Sequence, residues 1–185
     1  MEITGVMLRT MPEVVSDSVL NKLVGLYAKL LADVSSAKDY ELVTALCFFC
    51  DCVEHGQPAL VEQVVTRLPE KFMQVMAIQK ALPSLDEINQ DLVQTCVYGM
   101  GVLAQKMPAG NFPLNDVLLV IEWILSSDFK TETGLVAECA ENAVSSLGKC
   151  IYFHGGSNEI VEKFLTKLPL TTDTEEAPPT HNLLF

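Results

Sequence analysis

The sequence has few charged residues, few aromatic residues and a shortage of positive charge. Charged residues make up 19% and aromatic residues 7% of the 185 residues. The 12 lysines and arginines face 24 aspartates and glutamates, which gives a formal net charge of −12. This excess argues against binding to nucleic acid, whose phosphates it repels, and against anionic membranes. It favours basic protein partners, although a negative charge that only keeps the protein soluble explains it equally well.

Membrane-spanning and targeting segments are also missing. No apolar run reaches the roughly 18 residues needed to cross a bilayer. The start of the chain, Met1 to Thr4, has no basic region followed by an apolar core, so no signal peptide is visible. Six cysteines without a secretory signal predict free thiols in a reducing compartment, which favours the cytosol or the nucleus.

What the sequence does contain is a recurring apolar segment. Copies begin at Val61, Val117 and Val161, and the first and third copies share Val, Glu, Thr, Leu and Pro at matching positions. Their spacing is close to the period of about 40–47 residues found in HEAT and armadillo repeats. Because such a repeat does not bury its own apolar face, it must stack on neighbours, and the stack presents a long surface rather than a catalytic pocket.

The period of the apolar residues predicts an all-α protein with no strand. Pro69 is expected to kink or split the third helix, and Gly56 to take the left-handed conformation after the second. Ser157 or Asn158 is expected to cap the last helix, and Thr131 or Thr133 the one before it, after a turn at 127–131. The predicted helices span about 15–33, 40–54, 59–76, 87–107, 114–127, 134–153 and 159–168.

We interpret residues 1–185 as a single fragment of a HEAT-repeat array, because the connections are short and successive helices should be antiparallel neighbours. Residues 1–13 form a poorly patterned lead. Three helix pairs follow a flanking helix, and both ends look like cuts through an array. The units are 15–34 as the end of a preceding repeat, 40–78, 87–127 and 133–168 as repeats, and 173–185 as the truncated start of the next.

Four motifs, in order, carry a resemblance to a known family. They are FFCDCVEH at 48–55, YGMGVLAQ at 98–105, AENAVSSLGK at 140–149, and LPL at 168–170 followed by EEA at 175–177. In order and separation they resemble motifs of importin-beta family nuclear transport receptors, most closely the importin-five subgroup. The matched region covers roughly residues 40–178.

The resemblance implies a right-handed superhelical solenoid of HEAT repeats that shuttles between cytoplasm and nucleus. Its partners would be protein cargo with basic signals, the GTPase Ran and Phe-Gly segments of nucleoporins, and it would need no cofactor. The family makes its main Ran contacts in N-terminal repeats, outside the matched region. Where the family often has an arginine near the start of the outer helix, this chain has Glu41 and Val93, which predicts a weaker polar ladder between repeats.

The candidate partner-binding residues follow from this resemblance, because in importins the second helix of each pair lines the concave surface. It implies that Asp116, Glu122, Trp123 and Glu162 lie on an acidic concave face. An aromatic ring beside carboxylates suits the stems and charges of lysine or arginine. The alternative is that Trp123 packs against the neighbouring repeat, as most aromatic side chains do.

Two other patterns favour packing over chemistry. Cys47, Cys50 and Cys52 with His55 suggest a metal site, but structural zinc takes four ligands, typically in two close pairs, and free cysteines are mostly buried. Gly99 and Gly101 lack the preceding strand of a nucleotide-binding loop, so we expect them to allow close helix approach. We therefore predict neither a metal site nor an enzyme. A HEAT scaffold unrelated to transport is the main alternative.

Overall fold

The chain is helical throughout the part described by the computed structural model, which comprises residues 6–8, 10, 17–126 and 134–184. No strand occurs in these residues, so the predicted all-α class is confirmed. Short 3₁₀ turns lie at Leu31–Asp33 and Leu85–Glu87. The α-helices are α1 (Asp17–Leu30), α2 (Asp39–His55), α3 (Pro58–Val65), α4 (Leu68–Lys80), α5 (Gln90–Lys106), α6 (Leu114–Ser126), α7 (Gly134–His154), α8 (Asn158–Leu165) and α9 (Ala177–Asn182).

The helices pack as two neighbouring rows. In the first row α2, α5, α7 and α9 follow one another, and the contact between α5 and α7 is the most extensive. The second row contains α1, α3, α4, α6 and α8, and its members α1, α4 and α6 pack against the first-row helices α2, α5 and α7, respectively. One apolar core runs through both rows, so successive helix pairs bury one another's apolar faces.

Several predicted boundaries are confirmed. The helix expected around Pro69 is split: α3 ends at Val65 and α4 begins at Leu68, which puts the proline in the first turn, where its missing N–H costs nothing. Ser157 caps α8 by accepting a hydrogen bond from the backbone N–H of Ile160 at 3.4 Å.

The prediction for Gly56 is wrong. This residue has extended backbone angles, φ −71° and ψ 160°, and its N–H donates to the carbonyl of Cys52 at 3.0 Å. Glycine suits the position because a Cβ there would lie 2.2 Å from that carbonyl oxygen. The left-handed conformation occurs instead at Gly110 and Gly155, with φ of 92° and 82°.

Some sequence predictions lie outside the described residues, namely the turn at 127–131 and the capping roles of Thr131 and Thr133. Within the expected N-terminal lead, residues 6–8 and 10 are helical and Leu8 joins the core. Among the described helices, none combines the length and the apolar character needed to span a membrane.

The two glycines of α5 lie where the helix meets its neighbours, as predicted. A Cβ on Gly99 would lie 2.3 Å from Cζ of Phe72 on α4, and one on Gly101 would lie 2.5 Å from Oγ of Ser146 on α7. Ser146 uses this proximity to donate a hydrogen bond to the carbonyl of Val97 at 2.7 Å. The absent side chains therefore let α5 touch helices on both sides.

The cysteines are free thiols, and five of the six are buried. Burial raises the pKa of Cys52, Cys139 and Cys150 to about 12, so these thiols stay protonated and pack as small apolar groups. Core packing is thus confirmed for them. The described residues contain no group of three or more His, Cys, Asp or Glu side chains positioned for a metal.

We expect Gly99→Ala to lower the free energy of unfolding by about 1–3 kcal/mol, because the added methyl overpacks a fully buried contact with Phe72. Gly25→Ala is the matched control: it is also helical, nothing lies within 4 Å of its added Cβ, and alanine should gain up to about 1 kcal/mol. Urea unfolding of both variants measures the difference. Equal effects would contradict the close approach of α5 and α4.

Candidate functional site

The exposed side of the second row carries the candidate residues, and we call it the second-helix face. An open cleft of about 240 Å³ lies on it between α6 and α8. Apolar side chains from both helices and from α7 line the cleft, and charged groups stand at its edge. The lining residues are Leu118, Ile121, Glu122, Leu125, Leu147, Ser157, Glu159, Ile160 and Lys163.

Glu122 bridges the two helices that form this cleft. Its Oε1 accepts a hydrogen bond from Nζ of Lys163 on α8 at 2.7 Å, and 61% of the glutamate side chain is exposed. The hydrogen bond and the positive charge of Lys163 hold the pKa of Glu122 below its usual value. The predicted contact residue is therefore accessible but paired within the chain.

Trp123 is half-buried and packs against the apolar core. Nζ of Lys80, the last residue of α4, lies 5.6 Å from the centroid of its ring. Because α4 belongs to the preceding helix pair, the ring lies against the neighbouring unit. This is the packing alternative that the sequence left open, with a cation–π contact added from the chain itself.

The remaining predicted residues, Asp116 and Glu162, are both exposed. Asp116 lines a separate shallow cleft with Gly110 and His154, whose ring stacks on Phe112 at a centroid distance of 4.5 Å. Glu162 lies on α8 next in sequence to Lys163. The structure thus puts all four predicted residues on second-row helices, but it does not gather them into one pocket.

The second-helix face is not uniformly acidic, contrary to the expectation from the sequence. It also carries basic residues from the segment of α3 and α4 and from α8, namely Arg67, Lys71, Lys80 and Lys163. A denser acidic group lies on the first row and the loop after α8, where Asp51, Asp173, Glu175 and Glu176 line one cleft. The negative charge of the protein is therefore concentrated elsewhere.

A polar chain that the sequence did not predict links the helices of the first row. The Tyr98 hydroxyl on α5 donates to Glu54 on α2 at 2.5 Å. Nζ of Lys149 on α7 lies 5.5 Å from the Tyr98 ring centroid and 2.8 Å from Oε2 of Glu176, the residue before α9. The Lys149 side chain is only 4% exposed. The chain of contacts links α2, α5 and α7 and ends at the residue before α9.

A second feature that the sequence did not predict is a set of hydrogen bonds that fixes residues 171–173 to α7. The Glu141 carboxylate accepts hydrogen bonds from the backbone N–H groups of Thr171, Thr172 and Asp173 at 2.8, 2.9 and 2.6 Å. Desolvation raises the pKa of Glu141, but the three N–H donors outweigh it and leave the pKa below the usual value. Asn142 adds a hydrogen bond to Asp173 at 2.7 Å. We call this arrangement the Glu141 clasp.

These geometries suit binding rather than the enclosure of a small substrate. The clefts are open to solvent and hold about 240–430 Å³, so none of them encloses a ligand in the way that buried pockets do. Each has room for one or two side chains of a partner that lies across it.

No protein family model matches the sequence, and no solved structure matches the fold.

We expect the Glu141 clasp to open in acid. Because the folded-state pKa of Glu141 is lowered from 4.5, the clasp stabilises the fold fully above that value and is lost as pH falls through the folded pKa. Hydrogen exchange at residues 171–173 should lose protection across this range in the wild type.

The variant Glu141→Gln should have low protection at these amides already at neutral pH, with no further step in acid. Glu162→Gln, on the exposed surface of α8, serves as the control and should behave like the wild type. Equal protection in the wild type and Glu141→Gln would contradict the clasp.

Lys149→Met should lower the free energy of unfolding by about 3 kcal/mol, because it leaves Glu176 largely buried without its cation. The double variant Lys149→Met/Glu176→Gln should lose less than the sum of the two single variants. Lys22→Met, at an exposed position of α1, is the control and should change stability little. Additive effects in this cycle would show that the two side chains are not coupled.

Proposed function

We propose that this chain is part of a HEAT-repeat nuclear transport receptor of the importin-beta type and binds protein partners on the second-helix face. One observation carries the proposal: the motifs that resemble this family contain the residues that link successive helices. Glu54, Tyr98, Lys149 and Glu176 form the polar chain, and each belongs to a different motif.

The packing of the helices supports the same proposal. The second-row helices α1, α4 and α6 each pack on the first-row helix of the next pair, and the apolar core continues from pair to pair. This is the arrangement that a repeat array requires, because a repeat depends on its neighbours for a dry interior. In our proposal the rows curve into a right-handed solenoid that continues beyond the described residues.

In cargo recognition, basic side chains of the partner would replace lysines of this chain at their contacts on the second-helix face. The pair of Glu122 and Lys163 is exposed and screened by water, so a basic side chain of a partner can replace Lys163 at little cost. Lys80 holds an equivalent position at the ring of Trp123. Asp116 and Glu162, both exposed, would add charge attraction along the same row.

Other partners follow from the family resemblance alone. Phe-Gly segments of nucleoporins and the GTPase Ran are proposed partners, and the main Ran contacts are expected outside residues 40–178. Shuttling between cytoplasm and nucleus, and a role without catalysis or cofactor, belong to the same proposal.

A HEAT scaffold outside transport is the second candidate. The mixed charge of the second-helix face favours it, because Arg67 and Lys71 at one end and Glu122 and Glu159 at the other suit two partners of opposite charge. The polar chain and the stacked helices are compatible with either role.

The test is a binding experiment with purified protein, basic signal peptides, Phe-Gly peptides and Ran loaded with GTP. Titration of the basic peptide should change the fluorescence of Trp123, which is the single tryptophan of the sequence. Failure of the full-length receptor to bind any of these partners would reject the transport role and leave the scaffold.

We predict that Glu122→Gln/Glu162→Gln weakens binding of the basic peptide by about threefold to tenfold, since two exposed charge contacts are removed. The matched control is Asp86→Asn/Asp91→Asn, which neutralises two exposed carboxylates outside the second-row helices. An equal loss in both proteins would point to net charge rather than to the second-helix face.

A further inference from the structure

A second cleft on the second-helix face lies between α1 and the segment formed by α3 and α4. It holds about 280 Å³, and its floor consists of buried apolar side chains from α1, the 3₁₀ turn after it, α2, α3 and α4. On the α1 side Ala28 and Ala32 are exposed and small, which leaves the floor open to solvent. The lining residues are Val24, Ala28, Leu31, Ala32, Phe49, Gln63, Val64, Arg67, Leu68 and Lys71. We call it the α1 slot.

The two cations of this slot have no carboxylate partner among the described residues. The structure gives the exposed Arg67 side chain neither an ion pair nor a hydrogen bond there. Nζ of Lys71 donates to the neutral Oε1 of Gln74 at 3.0 Å. By contrast, Lys149 and Lys163 each bind a carboxylate, at 2.8 and 2.7 Å.

Two unpaired cations beside an apolar floor are unexpected in a chain that has 24 acidic and 12 basic residues. Gln74, the partner of Lys71, in turn donates to the Glu70 carboxylate at 2.8 Å, so Lys71 has no direct contact with a negative charge. An arginine guanidinium can bind a carboxylate through two parallel hydrogen bonds, and a lysine provides a mobile point charge. The arrangement complements a group that is apolar at its centre and acidic at its edges.

We propose that the α1 slot docks a partner peptide in which one large apolar side chain is flanked by acidic residues. The volume supports a side chain rather than a cofactor, because it falls below the roughly 300–1,000 Å³ of enclosed ligand pockets. The apolar side chain enters between α1 and Leu68, and the acidic residues meet Arg67 and Lys71. Burial supplies affinity, and the two cations supply selectivity.

This partner has the opposite charge from the basic segments proposed for Glu122, and the inference does not depend on a role in transport. The net charge of −12 repels an acidic peptide at a distance, but screening at physiological salt limits that repulsion to about 8 Å. The charges of Arg67 and Lys71, which contact the peptide, therefore have more effect on its affinity than the net charge of the protein. The second-helix face then has two positions with opposite charge preferences.

The experiment measures fluorescence polarisation of four labelled peptides with the intact chain. The first has a central Phe between Asp and Glu residues. In the second Lys replaces every acidic residue, in the third Ala replaces Phe, and the fourth is a Phe-Gly peptide without charge. We expect the first peptide to bind most tightly and its affinity to fall with rising salt. Equal binding of the first, second and fourth peptides, or no binding of the first, overturns the proposal.

Variants of the chain then test whether the acidic peptide binds in the α1 slot. Arg67→Glu/Lys71→Glu should weaken binding of the acidic peptide roughly tenfold and strengthen binding of the basic one, because both contacts change sign. Lys22→Glu/Lys29→Glu on α1 makes the same change of net charge outside the slot and should have little effect. If both double variants weaken binding equally, only net charge acts and the slot is rejected.

A second variant tests the apolar part without changing charge. Ala28→Phe places a large side chain at an exposed position that lines the slot, so it should fill the space and weaken binding of the acidic peptide roughly tenfold. Circular dichroism and urea unfolding report whether each variant is folded, and Arg67→Gln/Lys71→Gln replaces the charge reversal if it is not. Unchanged affinity in a folded Ala28→Phe protein rejects the slot as the docking site, whatever the outcome with basic cargo.

Discussion

The close approach of α5 to its neighbours is the constraint on which the rest of the structure depends. Gly99 admits the ring of Phe72 and Gly101 admits Ser146, so the backbone of α5 is nearer to α4 and α7 than side chains would allow. This spacing sets the first row, brings the Tyr98 hydroxyl within reach of Glu54, and puts the Tyr98 ring next to Lys149. Because Phe72 is on α4, the same close approach also fixes the distance of a second-row helix from the first row.

The charged side chains of the two rows differ in burial and in pairing. In the first row Lys149 is almost fully buried and contacts both Tyr98 and Glu176, so its charge stabilises the packing of the helices. In the second row the charges of Glu122 and Arg67 are exposed, and Lys71 is half-buried and bonds only to the neutral Gln74. Exposed charges are exchangeable at low cost, which is why we propose the second-helix face as the place for partners.

The sequence predicted the helices well because the period of the apolar residues and the breakers at Pro69 and Ser157 are local signals. Gly56 was misread because its reason is a contact with the Cys52 carbonyl rather than a left-handed turn. The pairs Glu122 with Lys163 and Lys80 with Trp123 could not be predicted, since they depend on the register between helix pairs far apart in sequence. The α1 slot was missed for the same reason, because its lining comes from separate helices.

The Glu141 clasp holds the chain mainly by its backbone. Three of its donors are the N–H groups of Thr171, Thr172 and Asp173, and the Thr171 hydroxyl adds a longer hydrogen bond to Oε1 of Glu141 at 3.4 Å. The three backbone bonds are open to any residue at positions 171 and 172 except proline, which has no N–H to offer. The connection out of the last helix pair can in this way change its surface chemistry while the position of the chain that follows stays the same.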